Sequence, residues 1–324
     1  MSAVKWGIMS TAHINRLFLA GAREADNVEI TAVASRDKPR AEQYAREQKI
    51  PKAHGSYEEL LADPEVEAVY IPLPNSLHIE WSIQALESGK HVLCEKPLSR
   101  RSADVERAFD VAEREQRLLM EAFMYRHNPQ TRRLTELVAD GAVGRVRVIR
   151  AAFGFVAHDP ANVRLQTGLD GGGLMDVGCY CVSGARLIAG EPERVSAEQV
   201  LGGDGVDVVF AATMRHQNDV LSHFDAGLAL DSRDVLELVG DAGSILLEDP
   251  WHCRHPVIEL RRGADSERIE IEKANSYRLE AENFSAAIRG EAAPLLGRDD
   301  AVGQARTIEA LYRAAETGQA IALM

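Results

Sequence analysis

"GIMSTAHIN", residues 7–15, follows directly on the apolar start "AVKW". A strand that turns into a helix this close to the N-terminus is how a dinucleotide-binding βαβ unit begins. Such a turn carries glycines at three places, and here those places hold Ser10, Ala12 and Asn15. Alone, the stretch leaves two readings open: a nucleotide site, or a strand and a helix joined by a polar turn.

The surrounding pattern decides the fold. Strand patterns at Lys5–Met9, Glu29–Ala34, Ala68–Ile71, His91–Glu95 and Leu118–Ala122 alternate with helical patterns. The helices are expected near His13–Ala25, Pro39–Gln48, Tyr57–Ala62, Leu77–Ser88 and Ala103–Glu115. Ser56 with Glu59 three residues on reads as a capping box, Pro39 suits a first helical turn, and Gly89 suits a helix end. Strict alternation implies an α/β fold with a doubly wound parallel sheet. After Phe123 the pattern changes. Helices are expected near Gln130–Ala139 and Leu174–Ile188, the second fed by the turn "LDGGG". Strand patterns follow with little helix between them: Val146–Val156, Arg194–Val200, Val206–Thr213, Val220–Phe224, Asp234–Val239, Ser244–Leu247 and Val257–Arg261. Helices near Leu279–Arg289 and Ala301–Glu316 close the chain. The expectation is a doubly wound α/β domain over 1–123 and a second domain over 124–324 whose sheet is antiparallel or mixed.

At 324 residues the chain exceeds a typical single core, in keeping with two domains. Lys and Arg total 37 against 50 for Asp and Glu, a net charge of −13, which argues against nucleic acid or anionic membranes as partners. No signal peptide and no apolar run long enough to span a bilayer is evident, so a cytoplasmic protein is expected. The four cysteines fit neither a disulfide framework nor a common zinc spacing, and no metal is expected. "WHCRH", residues 251–255, is left without a role.

In a doubly wound sheet, ligands bind beyond the carboxyl ends of the strands. The turn after the first strand lies there. Backbone N–H groups of Thr11, Ala12, His13 and Ile14 face that edge, and the Ser10 and Thr11 hydroxyls can add donors for a diphosphate. At the end of the second strand an NAD site carries an acid for the ribose hydroxyls, but this chain reads Ser35, then Arg36, then Arg40. Two guanidinium groups in place of a carboxylate favour a 2′-phosphate, hence NADP over NAD. Tyr57 either stacks on the adenine or is an ordinary helix-start aromatic. "HVLCEKPLS" sets Glu95, Lys96 and Pro97 at a strand's carboxyl end, where the fixed φ of proline restrains the lysine. Met124 and Arg126, in "EAFMYRHNP", lie where they can line a nicotinamide–substrate cleft, and Arg126 serves equally as an ion-pair partner.

"GKHVLCEKP", "PNSLH" and "GGGLMDVGCY" together resemble the Gfo/Idh/MocA family of oxidoreductases, over nearly the whole chain. The family's first turn usually has glycines where Ser10 and Ala12 stand. The resemblance implies an N-terminal Rossmann domain and a C-terminal α+β domain with a large open, mostly antiparallel sheet. It also implies hydride transfer between a nicotinamide and a carbinol carbon, with an oligomer, a homodimer or homotetramer, built through that sheet. By position it implies Lys96 as the catalytic lysine, Asp176 as the acid of the glycine-led helix, and Tyr180 one turn later on the same helix face. It places Pro72, Leu73, Asn75 and His78 along the adenosine and ribose side, where His78 equally serves as a cap. Tyr180 stands where many inositol dehydrogenases have His, which turns the expectation away from inositol. Tyr180 then exchanges the hydroxyl proton with Lys96 favouring the phenolate, or Lys96 is itself the acid/base. The expected substrate is a sugar or polyol, with an aldose favoured. Alternatives are a cyclic trans-dihydrodiol and, in another class, a non-catalytic NADP(H) sensor.

Overall fold

The computed structural model describes residues 2–323. Strands β1 (Val4–Met9), β2 (Val28–Ala34), β3 (Lys52–His54), β4 (Ala68–Ile71), β5 (His91–Glu95) and β6 (Leu119–Ala122) come first. Between them run helices α1 (Asn15–Ala22), α2 (Lys38–Gln48), α3 (Tyr57–Ala62), α4 (His78–Glu87) and α5 (Ser102–Arg114). Then follow α6 (Pro129–Ala139), β7 (Val146–Val156), a π-helical turn over Leu174–Gly178 and α7 (Cys179–Ala189). Seven strands come next: β8 (Pro192–Leu201), β9 (Asp207–His216), β10 (Leu221–Gly227), β11 (Ala229–Gly240), β12 (Ser244–Leu247), β13 (Val257–Arg262) and β14 (Asp265–Glu270). Helices α8 (Ser276–Ile288) and α9 (Arg298–Thr317) and strand β15 (Ile321–Ala322) close the chain.

The chain forms two compact units. The first takes in residues up to Ser99, Ala103–Met124 and Asn275–Val302. Its sheet has the order β3-β2-β1-β4-β5-β6, with every neighbouring pair parallel. Strand order reverses between β1 and β4, so the turns after these two strands flank the switch point where such sheets bind ligands. The local rules hold as expected. Asp37 caps α2, Pro39 sits in its first turn, the Ser56 hydroxyl accepts from Glu59 N–H, and Gly89 ends α4 with φ +77°. Strand β3 escapes the sequence pattern because it is three half-exposed residues, "KAH".

Residues 124–324 are not one body. Helix α8 belongs to the first unit, because its side chains complete that core. Trp6, fully buried, lies 5.7 Å from Phe18 and 5.7 Å from Phe284 of α8, and its indole N–H donates to Ser285. Each such ring stabilises the unit by roughly 1.5–3 kcal/mol. Gly21 on α1 permits the approach, since a Cβ there would meet the Arg278 backbone nitrogen at 2.5 Å.

The second unit comprises Arg100–Ser102, Tyr125–Ala274 and the chain from Gly303 onward. Its nine strands run β14-β13-β12-β11-β7-β10-β9-β8-β15, antiparallel apart from the parallel pair β7–β10. Strands β14 and β15 were not legible: "DSERIE" is almost wholly polar, and β15 has two residues. Helix α7 lies on this sheet through small residues. A Cβ at Gly178 would sit 3.2 Å from the Ala226 methyl, and one at Gly184 would strike Trp251 at 2.7 Å. The π turn that opens α7 is a further departure from the plain helix expected, and such turns recur at functional sites.

Candidate active site

In the first unit the turn after β1 keeps a tight shape without its glycines. Ser10 adopts φ +120°, a conformation that L residues rarely take. Four hydrogen bonds impose it. Ser10 N–H donates to Ala34 O (3.1 Å), the Ser10 hydroxyl donates to Pro72 O (3.4 Å) and accepts from Ala12 N–H (3.2 Å), and Asn15 donates to Ser10 O (2.9 Å). Ser10 ties the turns after β1 and β4, and the Thr11 hydroxyl accepts from Arg40 Nε at 2.8 Å, which leaves its own proton to donate. His13, on the exposed rim beside Ile14, contacts Arg16.

The end of β2 is cationic. Ser35 is buried, its hydroxyl accepting from Asp37 N–H, and Arg36 and Arg40 are exposed beside it. Burial pushes the Tyr57 phenol up, and the charges of Arg36 and Arg40 pull it down. Tyr57, Arg36, Arg40 and Thr11 therefore share one edge of the sheet. A 2′-phosphate fits here, where an acid would repel it.

At the end of β5 the Glu95 carboxylate accepts from the Tyr70 hydroxyl (2.6 Å) and from Lys96 N–H (3.3 Å). It braces the strand end rather than pointing outward. The Lys96–Pro97 peptide is cis. His78, with no exposed surface, faces two carbonyl oxygens at 2.8 Å, Pro97 O through Nδ1 and Leu73 O through Nε2. The ring thereby ties the turn after β4 to the turn that carries Lys96. Asn75 opens the short 3₁₀ turn that leads from β4 into α4, and Leu73 and Met124 are buried.

In the second unit, Asp176 lies in the π turn and Tyr180 in the first turn of α7. The Asp176 carboxylate accepts from Arg164 Nε at 2.7 Å. Arg164 comes from the loop after β7, and nothing in the sequence marks it as a partner. Tyr180, 8% exposed, is walled by aromatic rings: Phe153 at 5.3 Å, Tyr125 at 5.7 Å and Trp251 at 6.1 Å. Trp251 belongs to the unassigned "WHCRH", and its indole N–H is fixed on Ala152 O. His252 pairs with Asp234 at 2.5 Å, and Asp249 accepts from Arg254 and His255 N–H, so these acids cap the loop that presents Trp251. Arg126 reaches Ser183, which also binds the Tyr125 hydroxyl, one turn along α7 from Tyr180. Lys96 belongs to the first unit, Asp176 and Tyr180 to the second.

Residues 4–123 match the model of an oxidoreductase family with an NAD-binding Rossmann fold, and residues 131–246 match the GFO/IDH/MocA C-terminal domain. The chain belongs to the Gfo/Idh/MocA oxidoreductases. Among relatives of this family, a D-xylose 1-dehydrogenase (NADP(+)) of Haloferax volcanii is 38% identical, covering 98% of this chain and 99% of its own. A trans-1,2-dihydrobenzene-1,2-diol dehydrogenase of Xenopus tropicalis is 38% identical over 77% of each chain. The solved structure of a 3-ketoreductase from Actinomadura kijaniata, in complex with NADP and TDP-benzene, is 29% identical. It covers 97% of this chain and 98% of its own, with a TM-score of 0.91. Among the described residues no helix is long and apolar enough to cross a membrane.

Proposed function

We propose that the protein is an NADP-dependent dehydrogenase that oxidises a carbinol carbon of a sugar, an aldose such as D-xylose being the favoured class. The observation that carries the cofactor choice is the cationic end of β2, with Arg36 and Arg40 beside Ser35 where an acid would stand. The substrate class is supported by the end-to-end similarity to the xylose dehydrogenase. Bound NADP⁺ would supply the hydride acceptor for the carbinol carbon, with Ser35, Arg36 and Arg40 holding its 2′-phosphate. Tyr180 takes the hydroxyl proton, and the Lys96 ammonium favours the phenolate over the phenol. Asp176, steadied by Arg164, orients the substrate hydroxyl. The rings of Tyr125, Phe153 and Trp251 keep water from the phenol's flanks, which strengthens charge interactions there.

The same aromatic wall, with the similarity to dihydrodiol dehydrogenases, favours a cyclic trans-dihydrodiol as the second reading. The reading includes a homodimer or homotetramer formed through the nine-stranded sheet, whose strands leave Val200, Leu201 and Leu221 about half exposed. It also includes a cytoplasmic location, with which four buried thiols agree. A panel of aldoses, polyols and cyclic diols, run with NADP⁺ and NAD⁺ in parallel, tests it. NADPH formation with an aldose is the expected result. Faster turnover of the diol selects the second reading, and NADPH binding without turnover of any member rejects both.

A further inference from the structure

Asp207, the first residue of β9, is a buried carboxylate that the proposed reaction does not use. It is 2% exposed, and both oxygens are engaged. Oδ2 accepts from the Leu174 N–H at 2.6 Å, the first amide of the π turn, and Oδ1 accepts from the Tyr312 hydroxyl of α9 at 2.9 Å. The Arg100 guanidinium lies 4.2 Å over the Tyr312 ring and 3.9 Å from Asp170. Arg100 stands four residues after Lys96 in "EKPLSRR".

The glycine turn is shaped around this carboxylate. Gly172 has φ +128°, and a Cβ there would lie 2.1 Å from Asp207 Oδ1. From the turn, two links run to Asp176. Gly172 O accepts Asp176 N–H at 3.0 Å, which fixes its backbone. Gly172 N–H donates to Arg164 O at 2.8 Å, and the same Arg164 holds the Asp176 carboxylate through Nε. A shift of Gly172 therefore moves both the backbone and the side-chain partner of Asp176.

We infer that Asp207, backed by Tyr312 and Arg100, is a positioning residue that holds the glycine turn and, through Gly172 and Arg164, sets the Asp176 carboxylate. The inference rests on the reading of Asp176 and Tyr180 as catalytic groups. A carboxylate at the N-terminus of a helical turn is favoured by the amides it faces, and ionised acceptors bind about twice as strongly as neutral ones. Burial raises Asp207 to about 6, while Leu174 N–H, the Tyr312 hydroxyl and Arg100 hold it down. The charged and titratable groups around it are Tyr312 and Arg100, with Asp170 behind them. Because the folded value lies above the ordinary one, global stability declines as pH rises toward 6, but the grip on the turn strengthens over the same range.

The test uses full-length Asp207→Asn, Tyr312→Phe and Tyr180→Phe proteins. Amide exchange of the segment 172–178 needs no substrate. It should quicken by on the order of tenfold in Asp207→Asn and less in Tyr312→Phe. With a substrate in hand, kcat of Asp207→Asn should fall ~10–100-fold while NADPH affinity stays within about twofold. The wild-type inflection of kcat near pH 6 should vanish in this variant. Unchanged exchange together with an unchanged kcat–pH profile overturns the inference, as does parallel loss of NADPH binding and kcat. If Asp207→Asn fails to fold, Tyr312→Phe decides on the same readouts. A fully active Tyr180→Phe instead rejects the catalytic reading itself, whatever the Asp207 variant does.

Discussion

Replacing Arg40 by Ala, alone and together with Arg36→Ala, removes the charges that the account assigns to a 2′-phosphate. Arg40 uses Nε on the Thr11 hydroxyl at 2.8 Å, which orients the guanidinium and leaves the outer edge of its fork for an anion. A charge-assisted hydrogen bond contributes ~1.5–3 kcal/mol when buried, and both arginines are exposed, so about 1–2 kcal/mol each is the appropriate figure. That corresponds to a ~5–30-fold loss in kcat/KM for NADP⁺ per arginine. NAD⁺ has no group at that position, so its kcat/KM should change by less than about twofold. Initial rates with both coenzymes at saturating substrate measure the difference directly. Equal losses for NADP⁺ and NAD⁺, or a wild-type preference for NAD⁺, would refute the assignment of Ser35, Arg36 and Arg40.

Three further outcomes follow from the first unit. Ser10→Ala keeps the positive φ and loses the hydroxyl's two bonds, whereas Ser10→Gly loses the bonds but relieves the backbone; the glycine variant should be the more stable by ~1 kcal/mol in urea unfolding, and equal stabilities would contradict the strain. His78→Leu strands the Leu73 and Pro97 carbonyls and should cost ~2–4 kcal/mol, with kcat reduced more than NADPH affinity; a selective loss of NADPH binding would return His78 to the cofactor site. Glu280 of α8 is fully buried with both oxygens unsatisfied among the described residues, and burial followed by the Glu95 charge raises it well above the carboxylate range. Its contribution is therefore full below about pH 4 and declines as pH rises toward the folded value, so wild type should lose stability relative to Glu280→Gln between pH 5 and 8, roughly the working range. A pH-independent difference between the two proteins would refute this.

The fold was legible where side-chain period and burial agree. The buried strands β1, β2, β4, β5 and β6 are runs of apolar residues, and Asp37, Ser56 and Gly89 punctuate the helices as local chemistry requires. β3 and β14 were not legible, because pairing holds them to a sheet without an apolar face. Helix α8 has an ordinary amphipathic sequence, and nothing in it says that Phe284 and Ser285 close over Trp6. Near the proposed site, the positions of Lys96 and Arg36 just past the ends of β5 and β2 could be read from the alternation. Arg164, Asp207 and Trp251 could not, since each acts through a contact distant in sequence: Asp176, Leu174 and Tyr180 respectively. His78 shows the converse, a residue in the expected place whose ring nitrogens serve two carbonyls.

The most direct measurement is the pH–rate profile of Tyr180→Phe beside that of Lys96→Met, with the best substrate of the panel and NADP⁺. Tyr180→Phe should lose kcat by ~100-fold or more while still binding NADPH, and Lys96→Met should move the ascending limb to higher pH because the phenol loses its cation. Near-normal turnover of Tyr180→Phe would contradict a phenol that carries the proton.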